Sequence, residues 1–158
     1  MLKFDEQKQL DSVNGALALR GQIESIVDDI CKKGYRNICW LGIGGTYASC
    51  LQAEIHMKER SGINFYVENA AEYLVTGNRK VGEGTVVIIS SVTGSTSEMV
   101  DGVRKAQEDG AVVIGFVDVA DTKLAKMVDH LISFPLNEQL KFFMTADRFM
   151  YNAGEFDE

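Results

Sequence analysis

The chain reads as an α/β fold, a three-layer sandwich in which a doubly wound, mostly parallel sheet of five strands lies between helices. Three observations predict it. Short apolar runs alternate with segments of helical period along most of the sequence. The runs, such as Ile38-Cys39-Trp40-Leu41 and Val86-Val87-Ile88-Ile89, are continuous rather than alternating, the pattern of strands covered on both faces. Strands separated by helices form crossover units and hence parallel pairs. A length of 158 residues with 46% apolar and 25% charged composition fits one domain, residues 1–158.

The elements follow in order. Ile23, Ile26, Val27 and Ile30 share one helical face, so a helix is predicted from about Ser12 to Lys33, closed by Gly34. Asn37 to Ile43 is a buried strand. After Gly44-Gly45 a second helix carries Ala48, Leu51 and Ile55 on one face and ends near Ser61-Gly62. Ile63 to Val67 is a strand and Asn69 to Val75 a short helix. Thr85 to Ser90 is the most apolar strand. Ser97 to Glu108 is a helix with Val100, Val103 and Gln107 in step, closed by Gly110. Ala111 to Val117 is a strand, Asp121 to Met127 a short helix with Asp121 as a candidate N-cap, and Asp129 to Phe134 a fifth strand ended by Pro135. A last helix spans about Glu138 to Asn152. Its aromatics, Phe142, Phe143, Phe149 and Tyr151, suit either packing on the sheet or a contact with another subunit or domain.

Charge and cysteine usage narrow the function. A net charge of −7 argues against broad binding to nucleic acid or to anionic membranes, which calls for a basic surface. No apolar run reaches membrane-spanning length, and the polar, acidic stretch from Met1 to Leu10 is not a secretory signal. Cys31, Cys39 and Cys50 are odd in number and form no C-x-x-C pair, so free thiols in a reducing cytoplasm are expected. No spacing of His, Cys, Asp or Glu suggests a metal site, and no cofactor is expected. His56 and His130 read as structural or exposed.

The densest chemistry lies where the third strand meets the following helix. Five Ser or Thr hydroxyls and Gly94 fall between Ser91 and Ser97. Unpaired amides at a helix N-terminus favour an oxyanion, and a glycine there permits close backbone approach. Ser91, Thr93, Gly94, Ser95 and Thr96 therefore form a candidate phosphate cradle without lysine or metal. Ser95 and Glu98 also have the spacing of a capping box, which would use part of the cluster without any ligand. Gly44, Gly45 and Thr46 form a second glycine-rich turn after the first strand. If the two strands are neighbours, both loops face one crevice at the carboxyl edge of the sheet. The same turn begins like a dinucleotide fingerprint, but Tyr47 breaks it, which leaves a nicotinamide-binding domain, with Glu68 as its ribose acid, as the minor alternative. Glu72 follows the second strand and is a candidate catalytic acid–base residue, or simply an acid favoured at a helix start.

Ser90 to Glu98, with the helix closing at Gly110-Ala111, resembles the signature of the sugar isomerase (SIS) domain family, roughly S-x-S-G-x-T-x-[ED] before a helix. Gly44-Gly45-Thr46 resembles the family's first phosphate loop, and Ala70-Ala71-Glu72-Tyr73 its acidic segment. The likeness covers about residues 20–150 and looks most like the N-terminal half of the fructoselysine-6-phosphate deglycase and glucosamine-6-phosphate synthase group. It implies a flavodoxin-like strand order and recognition of a sugar 6-phosphate or fructosamine 6-phosphate. Thr46, Ser91, Thr93 and Thr96 would bind the phosphate, assisted by amides around Gly94 and Ser95. Thr46 and Thr93 stand where Ser is more usual. Members of that group carry two such domains, with catalytic Glu and His largely on the second domain or a neighbouring subunit. The resemblance thus implies one half of a phosphosugar deglycase or aldose–ketose isomerase, partnered by a second copy or a second SIS domain, with its acid–base residues outside the chain. A non-catalytic phosphosugar sensor is the alternative.

Overall fold

The computed structural model describes residues 3–155. Its elements are α1 (Glu6–Leu17), α2 (Arg20–Lys33), β1 (Asn37–Gly42), α3 (Gly45–Lys58), β2 (Phe65–Asn69), α4 (Ala70–Thr76), β3 (Thr85–Ser91), α5 (Ser97–Glu108), β4 (Val112–Val117), α6 (Lys123–Met127), β5 (His130–Ile132) and α7 (Glu138–Asn152). The five strands form one parallel sheet in the order β2-β1-β3-β4-β5. This is the expected flavodoxin-like order. The chain winds one way from β1 to β2 and the other way from β3 to β5, so the switch point lies between β1 and β3.

The uninterrupted apolar runs have the burial they imply. Every residue of β1 and β3 is buried. Trp40, Ile88 and Phe116 face a layer made by α2, α3 and α7, with Val27, Phe142 and Phe149. Their strand neighbours Leu41, Ile89 and Val117 face the opposite layer with Tyr73, Val103 and Leu124. Alternate residues of one strand thus feed two cores, which is why no polar alternation appears in these strands.

Five expectations are corrected. The helix drawn from Ser12 to Lys33 is two helices with a turn at Ala18-Leu19. Asp5 caps the first, accepting from the Lys8 amide at 3.0 Å. The Phe134 ring lies where a Cβ on Gly15 would stand, so α1 docks closely through its glycine. On α3 the face named by Ala48, Leu51 and Ile55 is exposed, and Ser49, Cys50, Ala53 and Met57 point into the core. The second strand begins two residues later than expected, and the fifth has three residues. Thr122, not Asp121, caps α6, accepting from the Ala125 amide at 3.3 Å.

Two of the four α7 aromatics, Phe142 and Phe149, belong to the core beside the sheet. Phe142 and Phe149 are fully buried, 5.0 Å from Trp40 and 5.2 Å from Tyr35 between ring centroids. Phe143 stacks on His56, and Tyr151 lies under the Arg148 guanidinium. Among the described residues no helix is long and apolar enough to cross a membrane.

Candidate functional site

β1 and β3 are hydrogen-bonded neighbours, so the loops that follow them open on the same edge of the sheet. The parallel register pairs Leu41 with Ile89, one residue before the end of β1 and two before the end of β3. Between the two loops lies a cavity of about 220 Å³, walled by Thr46, Ser90, Ser91, Thr93, Thr96 and Glu138 among others. The structure thus brings together the four hydroxyl residues that the sequence singled out. Gly45 also lines the cavity.

The second loop is built to present its hydroxyls. Ser91 Oγ accepts from the Gly94 amide at 2.9 Å, which closes a tight turn and leaves the Ser91 hydroxyl proton free to be donated elsewhere. Thr93 Oγ1 and Thr96 Oγ1 stand 3.5 Å apart. Gly94 has φ +65°, and Thr122 occupies the space a Cβ there would need. The glycine is therefore demanded by the docking of α6 onto the loop, rather than by approach to a ligand. Leu124 donates its amide to Gly94 O at 3.1 Å and completes that docking.

The capping-box expectation is not met. The N-cap of α5 is Thr96, and no side chain caps the helix. Glu98 instead accepts from Ser97 Oγ at 2.9 Å. The amides of the first turn of α5 are left without a side-chain cap, at the positive end of the helix dipole. A capped turn would have consumed part of the cluster; here the hydroxyls of Thr93 and Thr96 remain at the cavity wall.

The first loop contributes less than expected. Gly44 is the N-cap of α3 with φ 57°, which lets the chain reverse into the helix. Thr46 Oγ1 donates to Ile43 O at 2.8 Å and accepts from the Ile43 amide at 3.1 Å. Its hydroxyl proton is engaged within its own turn, so Thr46 offers a ligand a lone pair and a methyl unless the hydroxyl rotates. Gly44, Gly94 and Ser95 are not among the cavity-lining residues. Ser95 is exposed, its amide 3.4 Å from Thr93 Oγ1. Glu72 sits exposed in the first turn of α4, outside the cavity. Asn69 caps that helix, accepting from the Ala71 and Glu72 amides. Glu68 accepts from Asn78 Nδ2 within its own region of the fold.

Sequence reasoning missed Glu138. It opens α7, in chain distance 48 residues from Ser90 and 89 from Ser49. Ser90 Oγ donates to Glu138 Oε2 at 2.6 Å and Ser49 Oγ to Oε1 at 3.0 Å. Both serines are buried, at 1% and 4% exposure. Leu136 and Asn137, with φ 74° and 58°, turn the chain sharply to bring Glu138 there. Lys141, one turn on and 1% exposed, donates Nζ to Phe134 O at 2.8 Å and lies 3.6 Å from Asp118 Oδ1. Burial pushes the Lys141 ammonium pKa down and the Asp118 carboxyl pKa up. The one local signal for Glu138 was a carboxylate at the start of a helix, which is too common to single out.

A two-loop hydroxyl pocket at the switch point of a 2-1-3-4-5 sheet is the arrangement against which known families can be compared. The SIS domain family model matches residues 33–146. This chain belongs to the SIS domain family. An SIS assignment sets aside the nicotinamide alternative. Among curated relatives, the glutamine–fructose-6-phosphate aminotransferase (isomerizing) of Sulfurisphaera tokodaii is 27% identical over 110 residues, covering 70% of this chain and 18% of that protein. The HTH-type transcriptional regulator RpiR of Escherichia coli K12 is 28% identical over 148 residues, covering 87% of this chain and 49% of the regulator. This SIS chain therefore spans half or less of the length of these relatives. Among solved structures, the C-terminal domain of the glucosamine–fructose-6-phosphate aminotransferase from Francisella tularensis superposes with a TM-score of 0.70 at 14% identity, over 99% of this chain and 50% of that one. The sugar isomerase domain of the RpiR transcription factor from Sphaerobacter thermophilus gives 0.71 at 16% identity, over 94% and 89%. At these identities the structures support the SIS fold alone.

Proposed function

We propose that this SIS domain binds a phosphorylated sugar, a sugar 6-phosphate or a fructosamine 6-phosphate, with its phosphate at the hydroxyl loop. The observation that carries this reading is the uncapped start of α5 beside the Ser91, Thr93 and Thr96 hydroxyls. These are neutral donors on a dipole end that favours an oxyanion. Gly45 and Thr46 belong to the lining of the same cavity, while Gly44, Gly94 and Ser95 stand outside that lining and would serve by shaping the two turns. The relatives' names point the same way, to fructose 6-phosphate in one case and to a sugar isomerase domain in another.

In an enzyme the bound sugar would undergo proton transfer between its first two carbons, as one half of a phosphosugar deglycase or aldose–ketose isomerase. The acid–base residues would come from a second copy or a second SIS domain; Glu72 lies outside the cavity. In a sensor the same binding would be reported to a partner without turnover. Likeness to RpiR over 87% of the chain favours this second reading as a competitor.

Titration calorimetry with fructose 6-phosphate and with fructose tests the binding claim. Binding of the phosphate ester alone is the expected result. Equal affinity for the two sugars would remove the cradle from the argument.

A further inference from the structure

The cavity holds groups of opposite polarity. Its lining includes the hydroxyl residues at the uncapped start of α5 and also the Glu138 carboxylate. That carboxylate is held in place. Ser90 and Ser49, both buried, each give it one hydroxyl hydrogen bond, at 2.6 and 3.0 Å, one on each oxygen. Two donors on separate strand and helix elements fix both the position and the plane of the group. Each carboxylate oxygen keeps a further lone pair, since a carboxylate accepts about four hydrogen bonds. A buried hydroxyl pair aimed at a carboxylate is more than general packing needs, because a helix-start glutamate can satisfy itself in water.

A negative group in the same cavity as an anion cradle disfavours a bare phosphate and favours a ligand that also carries hydrogen-bond donors. We infer that Glu138 is the specificity-determining residue of the site, accepting hydroxyls of the sugar carbons while repelling inorganic phosphate. Inorganic phosphate fits the cradle as well as a sugar ester does, but has no hydroxyl chain to reach the carboxylate. Glu138 thus separates the two by an attractive contact for one and a repulsive one for the other. The role is the same in an enzyme or a sensor, and it rests on the phosphosugar reading above.

The test compares the full chain with Glu138→Gln. Glutamine keeps the size and can accept from one of the two serines, but removes the charge. Affinities are measured by calorimetry for fructose 6-phosphate, glucose 6-phosphate, arabinose 5-phosphate and inorganic phosphate. The expected result is a crossing: the best sugar phosphate weakens by roughly tenfold, and inorganic phosphate strengthens by about threefold. Ser49→Ala, which frees one carboxylate oxygen, should weaken the sugar phosphate in the same direction by less. This variant stands in if the glutamine form does not fold. Parallel loss of both ligands would make Glu138 a structural residue and overturn the inference while leaving phosphosugar binding intact. An unchanged ratio of the two affinities would overturn it as well. If the unmodified chain binds none of the sugar phosphates, the phosphosugar reading falls and this inference with it.

Discussion

Arg148 grips Asp28 with two parallel hydrogen bonds, Nε to Oδ1 at 2.7 Å and Nη2 to Oδ2 at 2.8 Å, tying α7 to α2. Hydrogen bonding from Arg148, then from Asn152, holds the Asp28 carboxyl down at about 2. A depressed carboxyl stabilises the fold above the ordinary carboxylate range and loses that contribution as pH falls through its folded value. Stability is therefore expected to fall between about pH 4 and pH 2. Asp28→Asn should remove about 1 kcal/mol at neutral pH, discounted for the partly exposed site, and flatten the acid limb of the profile. Urea unfolding across that pH range checks both.

Replacing Thr93 and Thr96 together by Val should weaken phosphosugar binding about a hundredfold or more, since bonds to a charged partner are worth roughly 1.5–3 kcal/mol each. The melting temperature should stay unchanged, because neither hydroxyl caps α5. Calorimetry and thermal unfolding on the same double variant give both numbers. A lower melting point with intact affinity would return the loop to a structural role.

Gly94→Ala should destabilise the chain by more than about 1–2 kcal/mol, the cost of a left-handed backbone alone, because the new Cβ also meets Thr122. Adding Thr122→Ala should relieve the steric part and leave the backbone part. A double-mutant cycle by urea unfolding separates them. Additive losses would mean that α6 does not dock on the loop as described.

The thiols should be sluggish. Burial first, then the nearby Asp28 charge, pushes Cys31 up to about 11, and burial pushes Cys50 up to about 12. Cys39 is raised well above its ordinary value for the same reason. At pH 8 the folded chain should react with an aromatic disulfide reagent roughly a hundredfold more slowly than a free cysteine, since the thiolate is the nucleophile. In guanidinium all three should react at once.

What could be read in advance follows the range of the forces involved. The strands were legible because burial on both faces leaves a run such as Val86 to Ile89 no alternative pattern. The hydroxyl loop was legible because Ser91 to Thr96 is contiguous and its geometry is set by its own turn. Glu138 was not, because its meaning comes from Ser49 and Ser90, which only the fold brings near. The capping box was misjudged because spacing alone does not fix where a helix begins: Ser95 has the right spacing to Glu98, but the N-cap is Thr96, one residue later, and Glu98 accepts from Ser97 instead. On α3, Leu51 and Ile55 suggested the inner face by residue type. The inner face went to Ser49 and Cys50 because a close approach to β1 and to Glu138 needs small side chains there.

The buried Lys141 bears on how firmly one rim of the cavity is held. Its ammonium latches the turn at Phe134 to the end of β4 through Asp118, so the start of α7 is tied to the β4–β5 margin of the sheet. α7 also packs along α3, the helix that follows β1. The chain entering α7 is thus braced from both sides of the switch point. The two serine bonds, one from β3 and one from α3, complete that brace, so the Glu138 carboxylate is set in place before any ligand arrives.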